Sequence, residues 1–444
     1  MNTRPKSPLL SAAWLRRLLD SGLMLLYRLS QPMAGVVIYA LSMRTYGPEL
    51  LGKYAYATTM CNLLAPLLVS GVDPLLVREL VRHPERRLEL MGSAFVLVLI
   101  STLASVCVPS LYILAADHGD PMLLYMVLGL SVGLLPNSLL VLMSLFRATS
   151  KTALATTCGL LGVVIASGFK IYVVLAHKPL YLVTAASVLD PLISGLTLLA
   201  VYNRQFGSVL QWRFSRVALV DLFRLSWSGV LASFIVMLFF RFSHIMLKSL
   251  GSFEQLAYYA LAFQMFSVLN FLPSSVLAVV YPRLVQLHQT DRPRYQRALR
   301  ACYVWATVAG LAILAGVWLF VAPIIVLLFG AKSAPAAPVA IAMAVANVFT
   351  FSGAVRSQVI YIEHKPLYHV YNTVLGFVVL IPLNFLLIPP LGALGAAAAV
   401  ACSCFVSSVA SSWIIPPLRD TAVDQTLAFF GLRRRGDVPV PKPL

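Results

Sequence analysis

Charged side chains lie inside long apolar runs of this sequence, where an ionic group is costly to place. Arg241 and Asp190 are near the middle of such runs, about 13 Å or more from either end at roughly 1.5 Å per helical residue. A charge at the centre of a bilayer costs about 2.5–3.5 kcal/mol on insertion scales. We therefore expect these two residues to face a polar cavity or an oppositely charged partner.

Four further charges lie about five or six residues from the end of an apolar run. They are Arg28, Lys170, Asp73 and Arg356. Each either extends along its helix to the headgroups or lines the same polar path. The bases are candidates for binding an anionic substrate, and Asp73 and Asp190 are candidates for ion coupling or ion pairing. Pairing is favoured for Asp190, because deep bases outnumber deep acids.

Lipid must be the solvent for most of this chain. Of its 444 residues, 59% are hydrophobic and 11% charged, whereas soluble domains carry roughly 25% charged residues. A membrane-spanning helix needs about twenty apolar residues, and about twelve such runs occur. They predict an all-α polytopic membrane protein. The predicted spans are residues 22–44, 54–77, 91–115, 121–146, 153–176, 180–202, 226–249, 257–280, 302–329, 338–362, 370–389 and 393–417.

Basic residues are concentrated in alternate connections between these spans. Seven segments hold 25 of the 34 Lys and Arg residues, and the intervening loops hold almost none. By the positive-inside rule these segments, and with them both termini, are predicted to be cytoplasmic. An even number of spans agrees with that orientation. The segments are residues 1–21, 78–90, 147–152, 203–224, 281–301, 363–369 and 418–444.

An internal repeat relates the two halves of the chain. At an offset of 205 residues, the segment 49–55 aligns with 254–260. This offset maps the first six predicted spans onto the last six, which indicates parallel repeats about an axis along the membrane normal. We predict an N-terminal six-helix lobe over residues 1–210 and a C-terminal six-helix lobe over 211–444, ending in a cytoplasmic tail at 418–444.

Several segments, in order along the chain, resemble polysaccharide flippases of the Wzx type. The family's first hairpin is matched by YGPELLGKYAYATTMCNLLAPLLVSGVDPLLVREL, and its seventh and eighth helices by RFSHIMLKSLGSFEQLAYYALAFQMFSVLNFLPSSVLAVVYPRLVQL. Its last outer loop and final hairpins are matched by LFGAKSAPAAPVAIAMAVANVF and LNFLLIPPLGALGAAAAVACS. The family belongs to the multidrug/oligosaccharidyl-lipid/polysaccharide exporter superfamily, which includes MATE multidrug exporters and lipid II flippases.

The resemblance implies two six-helix bundles in a V-shaped, MATE-like fold around a central cavity. It implies transfer of an undecaprenyl-diphosphate-linked oligosaccharide to the periplasmic leaflet of the bacterial inner membrane, for O-antigen, lipopolysaccharide or other surface polysaccharide. Membrane lipid, a polysaccharide polymerase and a chain-length regulator are the implied partners, with no nucleic acid and no cofactor. Many relatives carry Arg-x-Asp on the seventh helix, where this chain has Arg241, Phe242 and Ser243. A proton-coupling role for that acid is therefore not carried over.

Under this hypothesis the deep bases bind the diphosphate, because arginine forks match phosphate oxygens well. Arg28 and Arg241, one from each lobe, are expected to bind the headgroup together with Arg356 and Lys170. The polyprenyl tail is expected to stay in lipid.

Alternative functions make different demands on the sequence. A MATE-like exporter of small organic cations favours a net negative cavity, whereas deep bases outnumber deep acids here. A membrane-embedded glycan polymerase or acyltransferase needs catalytic groups on a large loop, and the predicted outward loops are short. Lipid II flippases are close kin but have more helices. No Walker loop, Rossmann fingerprint or HExxH motif occurs, so the sequence indicates neither ATP hydrolysis nor a metal site.

Overall fold

The computed structural model of the protein describes residues 12–63, 72–116, 120–363, 365, 367–415 and 419–429. Its regular elements are all helical, and no strand occurs among these residues. Helices suit a lipid solvent because they satisfy their backbone polar groups internally. The helices are α1 (Ala12–Leu63), α2 (Asp73–Arg82), α3 (Arg87–Ala116), α4 (Pro121–Leu134), α5 (Val141–Ala148), α6 (Thr152–Leu175), α7 (Leu180–Ala185), α8 (Leu189–Gln205), α9 (Arg216–Leu250), α10 (Phe253–Leu269), α11 (Phe271–Thr290), α12 (Arg292–Phe329), α13 (Ala336–Ile362), α14 (Leu367–Leu391), α15 (Ala393–Phe405), α16 (Ser411–Ile414) and α17 (Arg419–Phe429).

Within the described residues, eleven helical segments are long and apolar enough to cross a membrane. The sequence predicts about twelve, and the difference arises in α1. Its 52 residues would extend about 78 Å, more than twice the roughly 30 Å of a hydrocarbon core. Helical geometry breaks at Gly47, whose φ of 81° suits glycine. Helix α1 therefore contains the first predicted span and the beginning of the second, of which residues 64–71 lie outside the described residues.

The first of two compact units comprises Met1–Thr45 and Ala57–Phe234. Its core contains large, fully buried side chains from α2, α3, α5 and α8, among them Leu76, Met91 and Phe146. These side chains exclude lipid and water from the interior of the unit. The assignment of six spans to each lobe stays a prediction.

The second unit comprises Tyr46–Tyr56 and Ile235–Leu444. Its segment from α1 approaches the start of α10 very closely, since a Cβ on Gly52 would lie 1.8 Å from the carbonyl oxygen of Phe253. The ring of Phe253 also packs edge-on against Tyr56, with 6.2 Å between the ring centroids. Only glycine permits this backbone contact, which holds a segment distant in sequence against α10.

Helix α13 lies at the centre of the second unit, where α10, α12 and α15 pack against it. Small residues allow the close approach, as in other membrane helices. A Cβ on Gly310 of α12 would lie 2.9 Å from the Cα of Val348 on α13. Phe351 and Val355 of α13 are fully buried. This helix therefore forms the interior of the unit, and the other helices pack around it.

We predict that Gly52→Ala destabilises the protein, because its new methyl group must displace the backbone of Phe253. Overpacking of this kind costs about 1–3 kcal/mol. Equilibrium unfolding in detergent measures the effect. The matched control is Gly168→Ala in α6, where a Cβ meets nothing within 4 Å and helix propensity favours alanine by roughly 1 kcal/mol. Equal stability of the two variants would contradict the prediction.

Candidate functional site

The first unit brings Asp190 and Lys170 into one polar cluster. Asp190, in the first turn of α8, accepts a hydrogen bond from the Ser194 hydroxyl at 3.4 Å. The Gln31 side chain on α1 and the ammonium of Lys170 on α6 also interact electrostatically with this carboxylate. The sequence predicts both Asp190 and Lys170 to be deep charges, and the structure places them in one environment.

Two glycines of α6 let the neighbouring helices reach this cluster. A Cβ on Gly162 would lie 2.1 Å from the Ser194 hydroxyl oxygen and 2.6 Å from the Asp190 carbonyl oxygen. A Cβ on Gly159 would lie 2.8 Å from the ring of Tyr27 on α1. Because larger residues at these positions would collide with α1 and α8, the glycines position the cluster.

Arg28 also lies on α1 but is exposed, and none of the residues that the structure describes forms a hydrogen bond or ion pair with it. Its guanidinium has five N–H donors. These donors are available to a ligand.

Asp73 begins α2 and forms an ion pair with Arg147 of α5. The Ser144 hydroxyl, one turn before Arg147, donates a hydrogen bond to the same carboxylate. The two charged side chains are 19% and 38% exposed, so the pair is partly shielded and ties α2 to α5. The sequence did not mark Arg147 as a site residue. It lies in segment 147–152, whose basic residues are attributed to the orientation of the protein in the membrane.

In the second unit, Arg241 of α9 packs against an aromatic surface. Its guanidinium carbon lies 5.2 Å from the ring centroid of Phe263 on α10, a cation–π contact. The buried ring of His244, one turn later, packs edge-on against Tyr259 and Phe263 at centroid distances of 4.7 and 4.9 Å. His244 is therefore part of an aromatic cluster, and Arg241 lies at the edge of that cluster.

Arg356 of α13 is buried and bound by a π-helical turn, Val406–Ala410, which joins α15 to α16. A π turn interrupts the α-helical hydrogen-bond ladder, and two of its carbonyl oxygens accept from the guanidinium. Ser408 O lies 3.0 Å from Nη1 and Ser407 O 2.6 Å from Nη2. The hydroxyls of Ser411 and Ser412 accept from Nη1 at 2.8 and 3.0 Å.

A cavity of about 200 Å³ adjoins this arginine within the second unit. Phenylalanines of α9 form its apolar wall, and α13, α14 and the π turn supply polar groups. His369 is among them, with its Nδ1 3.3 Å from the Ser357 hydroxyl. The lining residues are Val236, Phe239, Phe240, Thr350, Gly353, Ala354, Arg356, Ser357, His369, Thr373, Cys404, Ser407 and Ser408.

Part of the predicted tail folds against the second unit as α17. Gln425 is fully buried there and donates to the Ser352 hydroxyl at 2.7 Å and to Ser408 O at 2.8 Å. Asp424 pairs with Arg300 of α12, with 2.8 Å between Nε and Oδ1. Residues 418 and 430–444 of the tail lie outside the described residues.

The six predicted site residues thus divide between the two units. Asp190 and Lys170 share a cluster, whereas Arg241 and Arg356 lie in separate surroundings of the second unit. Sequence reasoning missed the serines that bind Arg356. Their signal was present as two Ser-Ser pairs, at 407–408 and 411–412, inside the last apolar run.

We predict that Asp73 and Arg147 are energetically coupled. A double-mutant cycle of Asp73→Asn and Arg147→Gln, measured by unfolding in detergent, is expected to give about 1 kcal/mol or more, because the pair is partly shielded and shares Ser144. The control cycle uses Asp291 and Arg294, whose side chains are 33% and 70% exposed. Equal coupling in the two cycles would refute a special role for the Asp73 pair.

Solved structures of transporters share this fold. The lipid II flippase MurJ, in an inward closed conformation, matches with a TM-score of 0.68 and 12% identity over 93% of this chain and 91% of that chain. An inward-facing multidrug resistance MATE transporter matches with a TM-score of 0.62 and 15% identity over 89% and 96% of the two chains. The Vibrio cholerae MATE transporter VcmN matches with a TM-score of 0.56 and 15% identity over 92% and 99%. These likenesses confirm the predicted all-helical, MATE-like fold.

Sequence comparison gives the family. A search of curated proteins finds no match. A family profile described as "Polysaccharide biosynthesis protein" matches residues 19–288, more than half of the chain. The match begins in α1 and ends in α11. The chain therefore belongs to the polysaccharide biosynthesis protein family.

Proposed function

We propose that this protein is a flippase that moves polyprenyl-diphosphate-linked oligosaccharide repeat units from the cytoplasmic to the periplasmic leaflet by alternating access. Membership of the polysaccharide biosynthesis family supports a role in surface polysaccharide assembly, such as O-antigen. The fold shared with a lipid II flippase supports a carrier for a lipid-linked cargo. One observation, the balance of deep charge, supports the choice of an anionic cargo.

Both deep acids have basic neighbours within the first unit. Asp73 pairs with Arg147, and Asp190 interacts with Lys170. Arg28 has no ion-pair partner in the part of the chain that the structure describes. Deep bases also outnumber deep acids, and this excess of positive charge attracts a diphosphate and repels an organic cation. In this proposal Arg28 and Arg241 each interact with the diphosphate during its transport, and Lys170 and Asp190 act as an ion pair.

The MATE-like alternative, export of small organic cations, is supported by the fold but opposed by this charge balance. The enzymatic alternative is a glycan polymerase or acyltransferase. It needs a large catalytic loop, whereas the described connections between spans are short. Among the described residues, no group of three or more His, Cys, Asp or Glu is placed to hold a metal ion.

We predict that Arg28→Ala and Arg241→Ala each lower glycan export at least tenfold. A hydrogen bond to a charged group contributes roughly 1.5–3 kcal/mol, and about 1.4 kcal/mol corresponds to a factor of ten. Export is measured in a strain lacking the chromosomal gene, with each variant present at the wild-type level in the membrane. Arg28→Lys is expected to keep partial activity. The control Arg294→Ala, at an exposed position, is expected to keep full activity.

Two outcomes would contradict this prediction at different levels. Wild-type export by both alanine variants would remove Arg28 and Arg241 from the binding role. Normal surface glycan in a deletion strain that has no second flippase would reject the function itself. Accumulation of lipid-linked repeat units on the cytoplasmic side after deletion is the expected result.

We also propose that the protein lies in the bacterial inner membrane with both termini in the cytoplasm, as the distribution of basic residues indicates. In a cysteine-free background, Lys332→Cys between α12 and α13 is expected to react with a membrane-impermeant maleimide in intact spheroplasts. Arg294→Cys at the start of α12 is expected to react only after permeabilisation. The reverse pattern would show the opposite orientation.

A further inference from the structure

Arg356 retains hydrogen-bonding capacity that its protein partners do not use. A guanidinium has five N–H donors. Nη1 is bound by the Ser408 carbonyl and the hydroxyls of Ser411 and Ser412. Nη2 has the Ser407 carbonyl as its acceptor, and Nε, which is fully buried, has none among the residues described. Nε and Nη2 therefore share one acceptor for three N–H groups, and they form the edge that binds oxyanions in a bidentate manner.

The charge of this arginine also lacks a counter-ion. The side chain is only 3% exposed, and its partners are all neutral oxygens. No carboxylate within the described ranges forms an ion pair with it. Arginine does not lose its proton in proteins, and a buried charge without a partner is costly. An anion that reaches this guanidinium therefore gains an interaction that the protein does not supply.

The adjacent cavity offers the space and a second donor. Its volume of about 200 Å³ exceeds the roughly 30 Å³ of one water molecule several-fold, so a phosphate-sized group fits. His369 lines it, and with Nδ1 engaged by the Ser357 hydroxyl the ring can present Nε2–H. None of the residues that line it is acidic. This combination repels cations and suits an anion.

We propose that this cavity of the second unit is an oxyanion site that takes a phosphoryl group. The guanidinium of Arg356 is the charged donor, and His369 is the neutral donor. The site goes beyond the proposed diphosphate contacts of Arg28 and Arg241, and its existence does not depend on the proposed cargo. Its occupant is either free inorganic phosphate or the phosphoryl group of a lipid-linked substrate.

Helix α17 positions the charged donor. The carbonyl of Ser408 accepts from both Arg356 and Gln425, so the buried glutamine holds the turn that orients the guanidinium. The ion pair between Asp424 and Arg300 fastens the same helix to α12. Gln425 is therefore a positioning residue, which acts on the anion through Arg356.

The test is equilibrium binding of radiolabelled inorganic phosphate to the purified full-length protein in detergent. Wild type is expected to bind saturably with one site. Arg356→Lys keeps the charge but loses the bidentate edge, and is expected to bind at least tenfold more weakly. His369→Leu leaves the hydrogen bonds between Arg356 and the serines intact, and is expected to bind several-fold more weakly. Gln425→Ala is expected to have a smaller effect, and Arg294→Ala, at an exposed position in the first turn of α12, none.

The arms of the experiment separate the possible results. His369→Leu decides the matter if Arg356→Lys fails to fold, because it does not disturb the π turn. Absence of saturable binding, or equal affinity in wild type, Arg356→Lys and His369→Leu, would overturn the proposal. Displacement of phosphate by polyprenyl-diphosphate-linked oligosaccharide from wild type supports the site with the cargo as occupant. Retained phosphate binding without displacement supports it with free phosphate as occupant, and this result stands even if the flippase function fails.

Discussion

The cost of a charged side chain in hydrocarbon is the constraint on which the interior of both units depends. Each deep charge is stabilised in a different way. Asp73 pairs with Arg147. Asp190 interacts with neutral polar side chains and with Lys170. Arg241 packs over the ring of Phe263. Arg356 is held by carbonyl and hydroxyl oxygens alone. These different solutions separate charges that serve the protein's own packing from charges that retain capacity for a ligand.

Close helix packing is what makes these solutions possible. Short polar side chains such as serine reach a charge only if the backbones approach closely, and glycine permits that approach. Gly162 allows α8 to place Asp190 and Ser194 beside α6. Gly353 performs the same task for α13, since a Cβ there would lie 2.4 Å from the Ser408 hydroxyl oxygen. The polar sites and the glycine contacts are therefore parts of one packing arrangement.

The family and the fold support a flippase, and the charge balance refines that proposal. An exporter of organic cations needs acids that remain unneutralised, whereas here both deep acids have basic neighbours. A flippase for a diphosphate needs bases that remain available. In our proposals Arg28, which is exposed, meets that requirement in the first unit, and Arg356, which is buried without a carboxylate partner among the described residues, meets it in the second.

Hydrophobicity and charge distribution act locally along the chain, so the sequence by itself determined the all-helical membrane architecture and the family resemblance. It also predicted which charges lie deep, because depth follows from position within an apolar run. It did not determine their partners. Arg147 reaches Asp73 from α5, and serines of the π turn and of α16 reach Arg356 across 51–56 residues. Such pairings depend on helix packing and on one irregular turn, which hydropathy does not encode, and only the tertiary structure decided them.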